Sequence, residues 1–393
     1  MPLRPPAGFI SAFYDPLNNP NAPTIGTATG GDASASVAFT APSNVGGSAI
    51  SSYTAISTPG GITASAASSP ISVTGLTNGT AYTFAVWATN TYGPSAYSAS
   101  TGSVTPAAPT GLFAGGASPS NTNVIQYIII SSTGNATDFG DLISPRENIS
   151  ACASSVRGIF AGGGVNVIQY VTIASTGNAT DFGDLLNNPD NMGGLSNSTR
   201  GIFAGGSTDQ RINVIQYITI ASAGDATDFG DLITGTSNSG TCASTTRGIF
   251  AGGESPSSLV SQIQYITIES TGNSVNFGNL SSAYYYLCGC SNSSRGVFST
   301  FRDSGGSAFN IIEYITIAST GNAIDFGDLT QNRYGGAACA SSTTGVFGGG
   351  ISGVRFNIMD YVTIATTGNA GDFGDLLAAT NNLAACSNAH GGL

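Results

Sequence analysis

The stretch that decides the fold is Gly201-Ile-Phe-Ala-Gly-Gly206, followed by Asn213-Val-Ile-Gln-Tyr-Ile-Thr-Ile-Ala221, Ala226-Thr-Asp-Phe-Gly-Asp-Leu232 and Gly240-Thr-Cys-Ala-Ser244. Each piece is a short apolar or alternating run, bounded by Gly, Asn, Ser or Thr, as expected of a strand. No segment keeps a 3.6-residue period over ten positions, so helices should be almost absent.

The same block recurs. Gly-x-Phe-x-Gly-Gly stands at Gly111, Gly158, Gly201, Gly248 and Gly345, with a degenerate copy at Gly296-Val-Phe-Ser-Thr-Phe301. A Tyr follows at 127, 170, 217, 265, 314 and 361, then a Phe-Gly with its Phe at 139, 182, 229, 277, 326 and 373. Successive Tyr positions are 43 to 49 residues apart. Six copies of four strands at that period fit the blades of a β-propeller, whereas a stranded solenoid has shorter repeats.

The copies begin in mid-blade. Nothing before Gly111 supplies a first strand, and the tail Ala384-Ala-Cys-Ser-Asn-Ala-His-Gly-Gly-Leu393 supplies one with no copy after it. The C-terminal strand should therefore pair beside Gly111 to Phe113 and close the ring, removing its open edges. Cys152, Cys242, Cys290 and Cys339 each lie six residues before the Gly of the next copy, Cys386 holds the matching place in the tail, and Leu195 fills the sixth slot. A position that accepts Leu reads as a packing slot rather than a disulfide framework. Cys288 shares the face of Cys290.

Residues 21–107 are different. They carry one charged residue, Asp32, no Cys, and alternating runs such as Ser36-Val-Ala-Phe-Thr40 and Tyr82-Thr-Phe-Ala-Val-Trp-Ala88. In Leu76-Thr-Asn-Gly-Thr-Ala-Tyr82 the Tyr can anchor its hydroxyl on nearby backbone, the tyrosine-corner device of sandwiches. Over about 85 residues this part resembles a fibronectin type III domain, with Phe39 where that family often has a Trp. The resemblance implies a spacer or binding module. The six copies resemble kelch repeats, with Phe in place of the usual Trp, and their wording Tyr-Ile-Thr-Ile-Ala-Ser-Thr-Gly-Asn-Ala-Thr-Asp-Phe-Gly-Asp-Leu resembles repeat proteins of marine bacteriophages, including cyanophages. The expected architecture is all-β: an extended segment over 1–20, a fibronectin III-like sandwich over 21–107, and a six-bladed kelch-like propeller over 108–393 closed by the C-terminal strand.

Composition closes several classes. The 393 residues hold 10 Arg, no Lys, 21 acids and one His, for a net charge of −11, and only 8 % are charged, against roughly 25 % in an average soluble chain. No basic stripe exists to neutralise phosphates, which argues against nucleic acid. No apolar run approaches the ~18–20 residues of a spanning helix, so no membrane insertion is expected. Met1-Pro-Leu-Arg-Pro-Pro-Ala-Gly8 lacks the apolar core of a secretory signal. Kelch-like propellers with a fibronectin-like module also occur in copper radical oxidases, but copper needs imidazoles and His390 stands alone. A Ser-His-Asp triad would have to use that same His. No enzyme and no cofactor are expected.

In an up-and-down blade the turns after the first and third strands share one face, and the loops after the second and fourth share the other. The former (Ser-Ser-x-Arg-Gly and Ser-Thr-Gly-Asn-Ala) are near copies from blade to blade. The latter vary, from a short link at Gly164 to Glu254–Ser261. Variable loops on a fixed scaffold are free to carry specificity. They hold Tyr284, Tyr285, Tyr286, Arg302, Asp303, Phe309, Tyr334, Arg355 and Phe356, the residue types that interfaces and sugar-binding surfaces favour. On the constant face, Arg157, Arg200, Arg247 and Arg295 read as solvated or paired with nearby Asp rather than as a docking ring. The repeated acids, such as Asp138 with Asp141, read as turn caps rather than a calcium shell. With the phage resemblance, the expected role is a virion-exterior protein, assembled in the host cytoplasm: a tail-fibre or other appendage component. Pro5, Pro6, Phe9, Phe13 and Tyr14 would anchor it to other virion proteins, and its propeller would bind host-surface glycan or protein. A capsid decoration protein and a non-viral kelch-type interaction module are the alternatives, and a homo-oligomer is open to each.

Overall fold

The structure, a computed structural model, describes residues 17–393; Pro5, Pro6, Phe9, Phe13 and Tyr14, expected from the sequence to anchor the chain, lie outside the described residues. All secondary structure in the described residues is β, arranged in small antiparallel sheets with no helix. The chain divides into two compact units between Ala108 and Pro109.

The first unit has two sheets. Thr24–Gly31, Ser34–Thr40 and Ile71–Thr74 form one; Thr63–Ala66, Ser52–Thr58, Thr83–Asn90 and Gly93–Pro94 form the other, in that spatial order. Alternate residues of these strands, Val37, Phe39, Tyr53, Ala55, Val73, Phe84 and Val86, meet in one core. Period-2 burial is what a sheet with one wet face requires. The Tyr82 hydroxyl accepts the Thr77 N–H at 3.1 Å, the corner foreseen from Leu76 to Tyr82. The exposed side of strand Thr83–Asn90 is closed by an unforeseen device. Ser95, Ser98 and Thr101, three residues apart, present their hydroxyls to the N–H groups of Ala88, Val86 and Phe84 at 2.9–3.0 Å. These hydroxyls supplement main-chain pairing along an otherwise open edge.

The second unit contains six four-stranded sheets. The third is representative: Gly193–Ser196, Arg200–Ala204, Val214–Thr219 and Thr227–Asp231, each paired to the next. The first sheet is assembled from both ends of the unit. Ala384–Ser387 pairs with Thr110–Ala114 in the register Ala384↔Ala114 to Ser387↔Gly111, as the missing first strand demanded. The first strands of successive sheets are neighbours, and the first strand of the sixth sheet, Ala337–Ala340, lies beside Ala384–Ser387.

Three contacts repeat at each junction between sheets. The first is a knob in a hole. A side chain added at Gly201 would put its Cβ 2.7 Å from Cys152 Sγ of the preceding sheet, and Cys290 fills the same space over Gly345 at 2.8 Å, as Leu195 does over Gly248. Cys242 over Gly296, Cys339 over Gly111 and Cys386 over Gly158 complete the set. The opening Gly of each repeat is thus required by the residue six positions before the opening Gly of the preceding copy. All six cysteines are free and buried, and burial pushes the Cys386 thiol up to about 12 and the Cys288 thiol to about 11.

The second contact was invisible in the motif. Gln126, Gln169, Gln216 and Gln264 are buried, and each side-chain oxygen accepts the N–H just after the fourth strand of the preceding sheet, at 2.7–2.9 Å. The third is the turn Ser-Thr-Gly-Asn-Ala. Its Asn178 Oδ1 accepts the Asp141 N–H at 3.0 Å, and Gly177 N–H donates to Phe139 O at 2.7 Å. Gly140 in the Phe-Gly pair has φ +147° at a bulge, and a Cβ there would collide with Gly177 O. The acids of the Asp-Phe-Gly block therefore serve through the main chain of Asp141, and the cap is the Asn of the next sheet's turn, which corrects the turn-cap reading of their carboxylates.

Candidate functional site

The two ends of the six sheets differ in what their connections do. At the constant end, Arg157, Arg200, Arg247 and Arg295 lie 4.3–4.8 Å over the rings of Tyr170, Tyr217, Tyr265 and Tyr314. Each also donates through a terminal nitrogen, at 2.9 Å, to the carbonyl of Ile220, Ile268, Ile317 or Ile364 in the next sheet. They are half-buried and bonded to the next sheet, rather than free in solvent or paired with the repeated Asp residues. Arg200 alone adds a long contact to Glu269, 3.9 Å. A guanidinium stacks on an aromatic face and still keeps its edge free to donate, which suits Arg to this position in four of the sheets; Thr110 and Thr344 hold it in the other two.

At the loop end the nine foreseen residues separate into three groups. Tyr284 is 7 % exposed; it stacks on buried Phe301 at 4.7 Å, with Phe309 at 5.7 Å. It is a core residue, which corrects its reading as a contact; an apolar ring with two aromatic neighbours is held by packing. Phe309 packs on the same core from a half-buried position. Tyr285, Tyr286, Tyr334 and Arg302 form one cluster. Tyr286 lies 4.8 Å from Tyr285 and 5.5 Å from Tyr334, and the Arg302 guanidinium sits 4.5 Å over Tyr334 and 5.6 Å over Tyr285. All four are half-buried, so their edges reach solvent. Burial, with the neighbouring Tyr285, raises the Tyr286 phenol above its ordinary value.

The remaining three stand apart from this cluster. Asp303 Oδ1 accepts the Ser307 N–H at 2.8 Å and shapes its own loop. Arg355 donates through Nε to Asn381 Oδ1 at 2.7 Å and reaches Pro119 O at 3.4 Å, and the N–H of half-buried Phe356 bonds to Gly350 O. The loop arginines thus tie neighbouring sheets: Arg211 pairs with Glu254, Arg302 covers Tyr334, and Arg355 bonds the first sheet.

Two cavities lie among the first strands. The larger, about 150 Å³, is lined by residues of all six, including the cysteines, Ser196 and His390. Its constant end holds the C-terminal tail. Gly392 N–H donates to His390 Nδ1 at 3.1 Å, which leaves Nε2–H to donate to Ala153 O at 3.0 Å. Burial lowers the His390 pKa and so favours this neutral ring. Gly391 and Gly392 stand where any Cβ would meet backbone carbonyls of Asn292 and Ser196. The tail's Gly-Gly is therefore dictated by space, a role the sequence reading left unassigned. His390 is engaged with main chain and Ser196 rather than with an acid. The smaller cavity, about 80 Å³, opens at the loop end among Asn148, Asn191, Asn238, Tyr286, Gly335 and Asn382. Apart from Tyr286, the sequence reading passed over these residues because they belong to no motif. They hold the position just before each first strand, with φ between 54° and 65°, where Gly and Asn are the favoured residues.

Two buried acids replace the repeated Gln. Asp360 meets Arg333, which is fully buried, at 3.0 Å. Glu313 has no such cation; its carboxylate accepts from Ser281 N and Oγ, and burial raises its pKa. Among the described residues no three His, Cys, Asp or Glu side chains gather as a metal site. No known protein family matches this sequence, and no curated protein matches it.

Proposed function

We propose that this chain is a non-enzymatic structural and binding protein of a bacteriophage exterior: a tail-fibre or other appendage component in which a fibronectin III-like sandwich is the spacer and a six-bladed kelch-like β-propeller is the recognition head. Support for the sandwich comes from its strand order in two sheets and from the Tyr82–Thr77 corner. Support for the propeller comes from six four-stranded sheets, first strands neighbouring in a cycle, and the C-terminal strand completing the first sheet. The observation that carries the binding role is the contrast between ends. Constant turns and their arginines are occupied by neighbouring sheets, whereas Tyr285, Tyr286, Tyr334 and Arg302 keep edges in solvent on loops that differ from sheet to sheet. Residues of this kind, half-buried and rigid, are the ones that dominate recognition surfaces.

The reaction classes weighed from the sequence draw no support from the site, since His390 is bonded into the tail. Buried free thiols suit assembly in a reducing cytoplasm. The proposed partners are other virion proteins and a host-surface glycan or protein. Quantitative mass spectrometry of purified particles tests the role. A few to a few tens of copies per particle is the result expected of a tail appendage. Hundreds of copies would replace it with a capsid decoration protein, and absence from particles would overturn the virion role in favour of a free interaction module.

A further inference from the structure

The six residues before the first strands are joined by a continuous set of main-chain hydrogen bonds. Asn191 N–H donates to Asn148 O at 2.9 Å, Asn148 to Asn382 O at 2.9 Å, Asn382 to Gly335 O at 2.7 Å, Gly335 to Tyr286 O at 3.4 Å, Leu287 to Asn238 O at 3.3 Å, and Asn238 to Asn191 O at 2.9 Å. The backbone around this mouth is therefore bonded mainly to itself. What it presents to the cavity between is a set of side-chain amides and one phenol.

These amides are not all used internally. Asn191 Nδ2 donates to Asp190 Oδ1 at 3.2 Å and Asn382 Nδ2 to Glu147 Oε2 at 3.1 Å, which fixes both groups. Asn148 Oδ1 is buried with no hydrogen-bond partner, an unfavourable state that a ligand or water would relieve. The cavity, about 80 Å³, is several times the ~10–15 Å³ that one water needs. On one side stands the Tyr286 ring, braced by Tyr285 and Tyr334.

The chemistry of this mouth selects its ligand. No Lys exists in the chain, and no Arg is among the residues that line the cavity, so an anion finds no cation in its wall. Glu147 and Asp190 are bonded to neighbouring amides rather than directed together at one point. Fixed amides donate and accept side by side, which matches adjacent hydroxyl groups, and an aromatic face matches the C–H face of a sugar ring. We infer that the loop-end mouth is a site for a neutral pyranose, its hydroxyls bonded to the amides of Asn148, Asn191, Asn238 and Asn382 and its C–H face against Tyr286. This rests on the reading of the loop end as the recognition surface and names its ligand class.

The protein supplies its own control. Gly335 occupies the equivalent position in the sixth sheet with φ +65°, so Asn148→Gly and Asn238→Gly remove an amide without disturbing the left-handed backbone. The full chain is titrated with the methyl glycosides of glucose, galactose, mannose and N-acetylglucosamine, followed by saturation-transfer NMR and tyrosine fluorescence. At least one glycoside is expected to saturate, with affinity about tenfold weaker in Asn148→Gly, the loss of one or two hydrogen bonds, at an unchanged melting temperature. Failure of all four glycosides to saturate, or undiminished binding in both Gly variants, would overturn the site. Either failure leaves the particle count untouched, so this inference and the virion role fall separately.

Discussion

At one end of the six-sheet unit every connection is a structural part, while at the other the connections differ in length, sequence and partners. The turn Ser-Thr-Gly-Asn-Ala recurs because it docks on the previous sheet through Gly177 and Asn178 and their equivalents. The Arg that opens the second strand in four of the six sheets recurs because it stacks on its own Tyr and bonds the next sheet. At the loop end the sheets are tied by whatever each pair has: an ion pair between Arg211 and Glu254, an Arg302–tyrosine stack, an Arg355–Asn381 hydrogen bond. Repetition inside one chain thus marks shared geometry, and variation marks positions where the geometry is satisfied by several solutions. Those are the positions where a surface can be shaped to a partner without cost to the scaffold.

The largest effect should come from removing what both ends depend on. Deleting residues 384–393 takes away the first strand of the first sheet and the tail in the larger cavity. It strips cover from Leu112 and Phe113, both fully buried, where lost packing of one Phe costs about 3–5 kcal/mol. Calorimetry should show no cooperative transition for the second unit; a transition at the original temperature would mean the sheets stand independently.

A smaller effect is expected at the knobs. Gly201→Ala places a methyl 2.7 Å from Cys152 Sγ and should cost about 1–3 kcal/mol as overpacking. Adding Cys152→Ala removes the sulfur and should recover part of the loss in a double-mutant cycle. Strict additivity would deny that the two sites touch across the sheets.

Glu313→Gln asks whether the repeated Gln is the better solution. Because burial raises the Glu313 pKa in the folded state, the native protein holds the proton more tightly than the unfolded chain, and stability falls as pH rises from the ordinary Glu range through that raised value. The variant should melt higher at pH 7 and about the same under acid conditions where Glu313 is protonated. A lower melting temperature at pH 7 would show that the carboxylate is favoured over the amide. The smallest effect belongs to the constant-end arginines. Arg247→Gln removes the stack on Tyr265 and the bond to Ile317 O, with a loss of about 0.5–1 kcal/mol in urea titration; no change would mark that Arg as solvated after all.

Much of the scaffold was legible because repetition shows what is shared. The six-fold Gly, Tyr and Phe-Gly positions gave the four-stranded unit, and the unpaired ends at Gly111 and Ala384 gave the pairing of first and last strands. The cysteine slot was legible from Leu195 alone. The Gln slot was not, since a Gln inside Ile-Gln-Tyr looks like the polar phase of an alternating strand; only its burial reveals the bond to the preceding sheet. The loop end was read less well for the same physical reason. Aromatic residues on loops serve packing and recognition alike, and sequence does not separate Tyr284, stacked inside on Phe301, from Tyr286 at the mouth. The ring of left-handed residues escaped because four Asn, one Gly and one Tyr share a backbone conformation and no motif.

The division between ends is tested most directly by comparing melting temperatures of two sets of substitutions made at matched exposure. One set replaces the turn residues Asn178, Asn273 and Asn369 by Ala; the other replaces the loop residues Thr208, Ser258 and Gly305. The account predicts a loss of roughly 1 kcal/mol for each turn residue, the worth of a cap that bonds a neighbouring strand, and no measurable change for the loop residues. Equal losses at the two ends would contradict it.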